Sequence, residues 1–468
     1  MSDRPRYWTF RQTIRVGLFA GATLAGCGPQ ALGELPRATA PVLVVGAATA
    51  LAAPTTVLLP RATSIPTPTL LPTSSPTSVP TSVPTTAPTV LPTATPVTSS
   101  LRRQVFDQVW NIVNENYLYG DFNGLDWQAT YDEYLPRVEA AISNDQFYAE
   151  VAEMVALLND HHSRFLPPAA VAIEDTTTRG EEQTVGIGVR TSFEFESGYI
   201  RTVFPDSPAD HAGVRPRDRI IAVDGRPYTQ QDGDIQGVAG STVRLNIQRP
   251  GDKPRDVVLV RQEVQGRISP TYRRIHQTVG YLNIPTLWVN DMDEQVSGAI
   301  TELVAAGQLD GMIVDLRGNG GGWGHVLSGI LGHFVRGPVG TFFDQHTSRV
   351  LNVTAPAGPD VRGVPLVVLI DSDTQSYAEV LAAVLQENRA LVVGTPSAGN
   401  TESIYVYLLR DGSRLWVAQE SFKLRGGSNL EGRGVQPDSQ VDADWKRFSE
   451  EDDPHILEAL RLLGAGPK

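Results

Sequence analysis

The chain holds one cysteine in 468 residues, Cys27. No intrachain disulfide can therefore form, and any folded part must hold by its own core. Its eight histidines do not cluster with cysteine at zinc spacing, and there is no HExxH segment. No metal and no cofactor is expected on that ground. A Walker-type phosphate loop is missing as well. Positive charge is in short supply: 39 Lys and Arg stand against 52 Asp and Glu, for a formal net charge of −13. Nucleic-acid binding needs basic faces, so no nucleic-acid partner is expected. Long apolar runs are also lacking. Val16 to Ala25 and Pro41 to Ala53 are both too short to span a bilayer.

What is present begins with Arg4, Arg6, Arg11 and Arg15, a basic segment ahead of the Val16 to Ala25 run. That run ends Leu24-Ala25-Gly26-Cys27, which resembles a bacterial lipobox. The resemblance implies a signal peptide over 1–26, cleavage before Cys27 and diacylation of its sulfur. The mature protein would then sit outside the cytoplasm, anchored to the bacterial cell membrane by its acyl chains. Loss of residues 1–26 removes four Arg and one Asp and leaves a charge of −16. Residues 27–100 read as a disordered linker. From Pro54 onward they are dominated by Pro, Thr, Ser and Val, a composition that packs no core and favours extended spacing. About 370 residues remain for folded domains.

Residues 101–180 read as a helical region. Val105, Val109, Ile112 and Val113 repeat at helical spacing, and Trp127 and Tyr134 read as core. A different pattern follows over 181–264. Gln183 to Thr191 is a strand with paired glycines, and Ser207-Pro208 starts a short helix that Gly213 ends. Arg219 to Val223 is a strand running into an Asp224-Gly225 turn, and Ser241 to Gln248 alternates apolar and polar residues.

The segment 265–446 carries the chemistry. An apolar run, Gly311 to Val314, leads into Asp315-Leu316-Arg317-Gly318-Asn319-Gly320-Gly321-Gly322 and then into a helix-like stretch, Val326 to Phe334. Glycines at a strand-to-helix turn let backbone N–H groups reach a ligand such as an oxyanion; the same glycines also suit a tight turn packed on a neighbour. Further on, Pro365 to Ile370 reads as a buried strand, and Tyr377 to Gln386 has helical composition. Ser376 thus opens a helix directly after a strand, where a serine serves as cap or as nucleophile.

These two elements, in this order, resemble the tail-specific (C-terminal processing) peptidases of the S41 clan. Asp315-Leu316-Arg317 with Asn319, Gly321 and Gly322 matches the family's glycine motif. Anchoring on Glu379 places Ser376 on its nucleophile. The resemblance continues through Arg389 to Gly394 and through Gly432 to Asp438, and covers about 101–445. One position departs: Asn400 stands where the family carries the lysine base, and an amide cannot take a hydroxyl proton. The segment Leu157 to Pro168 resembles instead the Asp-x-His-Ser/Thr motif of the tricorn-like and retinoid-binding-protein-like branch. That resemblance implies Ser376 as nucleophile, His162 as base and Glu431 as the carboxylate that orients the imidazole. It implies the N–H groups of Gly321 and Tyr377 as oxyanion hole. His161, Ser372 and Lys423 stay open as substitutes. The 181–264 segment resembles a PDZ domain, with Gly186-Ile187-Gly188-Val189 as the loop that would hold a substrate's C-terminal carboxylate.

The expected fold is α/β: an N-terminal helical segment, an inserted PDZ domain, a crotonase-like peptidase core with a mixed sheet, and a C-terminal helix or tail over 447–468. The expected activity is that of a serine endopeptidase acting on peptides or unfolded proteins. A catalytically inactive peptide-binding protein and a carrier of apolar ligands are the competing readings.

Overall fold

The computed structural model describes residues 97–465 apart from 161, 195–196 and 230–234. The expected signal peptide, Cys27 and nearly all of the linker lie outside the described residues.

Three helices, Ser99–Asn116, Trp127–Ala140 and Asn144–Ala156, form the N-terminal part. Each begins on a side-chain cap: Thr98, Asp126 and Ser143 accept from the N–H groups of Leu101, Ala129 and Gln146. Such caps satisfy donors that the first helical turn leaves open. The buried faces meet around Val105, Phe106, Val109, Trp127, Tyr134, Phe147 and Val151. Leu415, Val417 and Ala418 of the strand Arg414–Leu424 close this core. The short strand Arg164–Leu166 pairs antiparallel with that strand, Phe165 opposite Leu415. His162 is thereby carried to the edge of the α/β core.

The inserted module is a β-domain of strands Val189–Glu194, Ser197–Val203, Arg219–Val223, Thr242–Gln248 and Arg255–Val260. Its own core holds Ile187, Ile200, Ile220, Val243, Leu245 and Ile247. A ribbon of Glu181–Gly186 with Gln262–Arg267 ties its two ends together. Because Ile247 is wholly buried in this small core, Ile247→Val should cost about 1 kcal/mol in urea unfolding; an unchanged midpoint would contradict that packing.

The α/β core is built on a mixed sheet, as expected from the sequence. Its strands run in the order Thr271–Ile275, Val279–Asn283, Gly311–Asp315, Leu366–Ile370, Leu391–Gly394 and Ser439–Gln440. The first pair is antiparallel and the rest are parallel. Parallel strands need cover on both faces. Val368 and Ile370 point to the cluster that holds the helices Met292–Ala305, Gly324–Leu331 and Tyr377–Glu387. Val367 and Leu369 point the other way, onto Ile456, Ala459 and Leu460 of the helix Pro454–Leu462. A strand buried on both sides is why Pro365 to Ile370 reads as an unbroken apolar run.

Candidate active site

The nucleophile candidate lies where the strand Leu366–Ile370 hands over to the helix Tyr377–Glu387. Ser376 caps this helix with φ +56° and ψ −130°. A serine in that region is strained, and the surroundings must hold it there. They do so through its N–H, which donates to the Asn400 carbonyl at 2.8 Å and to Glu379 Oε2 at 3.0 Å. Glu379 is fully buried and also accepts from Asn400 N at 2.8 Å, Gly399 N at 2.7 Å and Ser397 Oγ at 2.5 Å. One carboxylate thus fixes both the nucleophile turn and the loop that carries Asn400. Burial pushes the Glu379 carboxyl up, against the pull of these donors.

The glycine motif packs directly on this turn. A Cβ on Gly321 would fall 2.7 Å from Ser376 Cβ and 3.0 Å from the Tyr377 nitrogen. Gln375 N donates to the Asn319 carbonyl at 2.9 Å, and Thr374 Oγ1 to the Leu316 carbonyl at 3.0 Å. Of the two N–H groups expected to form the oxyanion hole, that of Tyr377 has no acceptor among the described residues. That of Gly321 donates to Asn319 Oδ1 at 2.9 Å. Gly322 has φ +152°, and a Cβ there would lie 2.0 Å from the Leu287 carbonyl carbon. Neighbouring backbone bonds, Leu287 N to Gly321 O and Trp323 N to Leu287 O, leave no room to retreat. Gly322→Ala should therefore cost about 1–3 kcal/mol of stability. An unchanged melting temperature would count against this packing.

His162 reaches the same region from the N-terminal part. Its N–H donates to Asp160 Oδ1 at 2.8 Å, and the next residue, Ser163, accepts from Ala418 N at 3.1 Å. The imidazole Nε2 lies 4.0 Å from Glu402 Oε2, with 10% and 5% of the two side chains exposed. Glu402 follows Asn400 by two positions, and Asn400 is bonded to Ser376. Tyr119, just beyond the first helix, donates its hydroxyl to Glu402 Oε1. Burial pushes Glu402 up to about 7; the Tyr119 hydrogen bond opposes this, and the charges of Glu431 and Asp160 add to it. Glu431 accepts from Thr401 N at 2.7 Å and Thr401 Oγ1 at 3.1 Å. Neither Glu402 nor Tyr119 was expected from the sequence. Among the substitutes, His161 lies outside the described residues. Ser372 is exposed in the preceding turn. Lys423 is exposed, with its ammonium 5.3 Å from the Phe343 ring.

The β-domain loop Gly186 to Val189 has Gly188 at φ +80°. Gly188 packs against Ser207, whose Cβ would lie 2.2 Å from an added Cβ. The N–H groups of Ile187 and Gly188 have no acceptor among the described residues.

Comparison with known proteins bears on the family. Residues 278–441 match peptidase family S41, 101–156 the tricorn protease C1 domain and 199–249 a PDZ domain. The chain is 30% identical over 365 residues to the chloroplastic C-terminal processing peptidase of Tetradesmus obliquus, covering 72% of this chain and 77% of that one. The chain belongs to the C-terminal-processing serine peptidases of family S41. It is also 29% identical to the carboxyl-terminal-processing protease of Synechocystis sp., over 77% of this peptidase and 86% of the relative. Among solved structures, the photosystem II D1 C-terminal processing protease superposes with a TM-score of 0.54 at 27% identity, covering 78% of this peptidase and 98% of that chain. In this peptidase, no helix among the described residues is long and apolar enough to cross a membrane.

Proposed function

We propose that this peptidase cleaves extracytoplasmic proteins through an acyl-enzyme on Ser376, with His162 as the base, and selects them by their C-terminal tails. The carrying observation is the strained Ser376 turn, bonded to the loop of Asn400 to Glu402 on which His162 also converges. Ser376 Oγ attacks the scissile carbonyl and its proton passes to His162. The proton then goes to the leaving amine, and water releases the acyl group by the reverse sequence. The oxyanion is met by Tyr377 N–H and by Gly321 N–H, which must leave Asn319 Oδ1 to take part. The Ile187 and Gly188 N–H groups of the Gly186–Val189 loop receive the tail carboxylate, as the tail adds to the PDZ sheet as a strand. The domains are assigned as a 1–26 signal peptide, a 27–100 linker, a 101–180 helical region, a 181–264 PDZ domain, a 265–446 core and a 447–468 tail. Cys27 carries the lipid.

The test uses the full chain, an aryl fluorophosphonate and an unfolded protein with an apolar C-terminus. A single adduct on Ser376 is expected, together with turnover that falls when the substrate's terminal carboxylate is amidated. Absence of both adduct and turnover, with tail peptides still bound, would replace this reading by that of an inactive binding protein. In bacterial membranes Cys27→Ala is expected to move the protein from the membrane to the soluble fraction; retention on the membrane would refute the lipid anchor.

A further inference from the structure

The expected triad leaves one group without a role and gives another a different one. Glu431 directs Oε2 at Thr401, holding the backbone of the loop that follows Asn400. Glu402, one residue beyond Thr401, turns its carboxylate toward the imidazole instead. It is buried, bonded through Oε1 to the Tyr119 hydroxyl and set with Oε2 4.0 Å from His162 Nε2. That separation is ion-pair range rather than a hydrogen bond. Hydrogen bonds of this kind tighten when substrate seats.

We infer that Glu402, held by Tyr119, is the positioning residue that orients His162 and stabilises its cation, while Glu431 braces the loop. The inference rests on the Ser376 and His162 reading above. Glu402 takes no proton in this scheme: the Ser376 hydroxyl proton moves to the imidazole and on to the leaving amine. The carboxylate supplies a fixed negative charge beside the ring when the ring becomes positive. Its own charge is responsive because it is buried beside other acids. The groups that face it are Tyr117 and Tyr119 from the N-terminal part, Asp160 and His162 from the segment before Arg164–Leu166, and Glu431 from the late loop. In this acidic neighbourhood the protonated imidazole is a cation that the Glu402 carboxylate can meet. Proton uptake by His162 and the charge on Glu402 are therefore coupled.

The experiment is a pH profile of kcat and KM on one peptide substrate for the full-length parent, Glu402→Gln, Tyr119→Phe, Glu431→Gln and His162→Ala. Glu402→Gln is expected to lower kcat roughly 10²–10⁴-fold with little change in KM. It should also move the acidic limb of kcat/KM to lower pH, since the imidazolium loses its anion. Tyr119→Phe should move that limb the opposite way, because a carboxylate that loses a donor becomes more basic and holds the imidazolium more firmly. This second variant keeps the test open if Glu402→Gln folds poorly. Glu431→Gln should move the limb to lower pH by less than Glu402→Gln does, because it takes away only one of the charges that raise Glu402. A parental rate and limb in both Glu402→Gln and Tyr119→Phe, with His162→Ala inactive, would overturn this inference alone. Full turnover in His162→Ala, with Ser376 still labelled by the fluorophosphonate, would overturn the Ser/His reading and this inference with it.

Discussion

Replacing Ser376 with Ala should lower kcat by a factor on the order of 10⁶, and His162→Ala should cost about as much. Nucleophile and base act as a unit in this scheme. Without the base the hydroxyl keeps its proton; without the hydroxyl the base has nothing to activate. The double variant should therefore be no slower than either single one, and the residual rate should reflect whatever the oxyanion site and tail binding still supply. KM should stay near the parental value in all three, because neither side chain is placed to hold the tail. The measurement is single-turnover cleavage of a peptide with a free C-terminus. Additive losses in the double variant would mean that the two residues act separately. A Ser376→Ala protein that retains parental turnover would remove the acyl-enzyme from the mechanism altogether.

The contrast between Ser376 and Glu402 shows what the sequence exposes. Ser376 stands between a buried strand and a helix, two local patterns whose junction can be placed from periodicity and composition alone. Its strain is not visible there, because φ is set by Glu379 and Asn400 together. Glu402 sits in no motif. It meets His162 only because Arg164–Leu166 pairs with Arg414–Leu424, a contact between distant segments. The Gly321 N–H shows a middle case. The glycines point to the loop, but the neighbouring Asn319 side chain takes that donor. An Asn two positions before a donor is a recognised local competitor, so the signal was present in the spacing. The segment 447–468 reads from the sequence only as a helix or tail, and the structure forms the helix Pro454–Leu462 there. That it covers the second face of the sheet is not legible in the sequence, since Val367 and Leu369 give no hint of which element they meet.

The terminal segment also carries the largest expected loss of stability. Asp453 is fully buried and sits between two guanidiniums. Arg317 of the glycine motif donates to it from Nη1 at 2.9 Å, and Arg217 of the PDZ domain pairs with it from Nη2 at 2.9 Å. The Trp445 ring lies under both, 4.2 Å and 4.9 Å from their guanidinium carbons. Asp453 also caps the final helix, accepting from His455 N at 2.9 Å. Arg317 keeps a second partner, Asp315. Burial works against the Asp315 charge, but Arg317 outweighs it and holds that carboxyl below its usual range. If Asp453 is removed, Arg217 retains the Phe448 and Ser449 carbonyls and the Trp445 ring, but loses this ion pair. Asp453→Ala would thus strand a nearly buried cation, a loss of about 3–5 kcal/mol, with about 1 kcal/mol more from the missing cap. Asp453→Asn keeps the shape and an acceptor for the cap, so it should recover the smaller part. Because the pair is buried, added salt should change the difference little. Urea unfolding of the full chain measures the loss, and limited proteolysis of the PDZ boundary shows where it falls. Arg217 is the PDZ domain's charged tie to this segment, so cleavage near the Glu181–Gly186 and Gln262–Arg267 ribbon should accelerate before the core unfolds. A cost below about 1 kcal/mol would show that water reaches the guanidiniums and that the buried network holds neither the helix nor the domain.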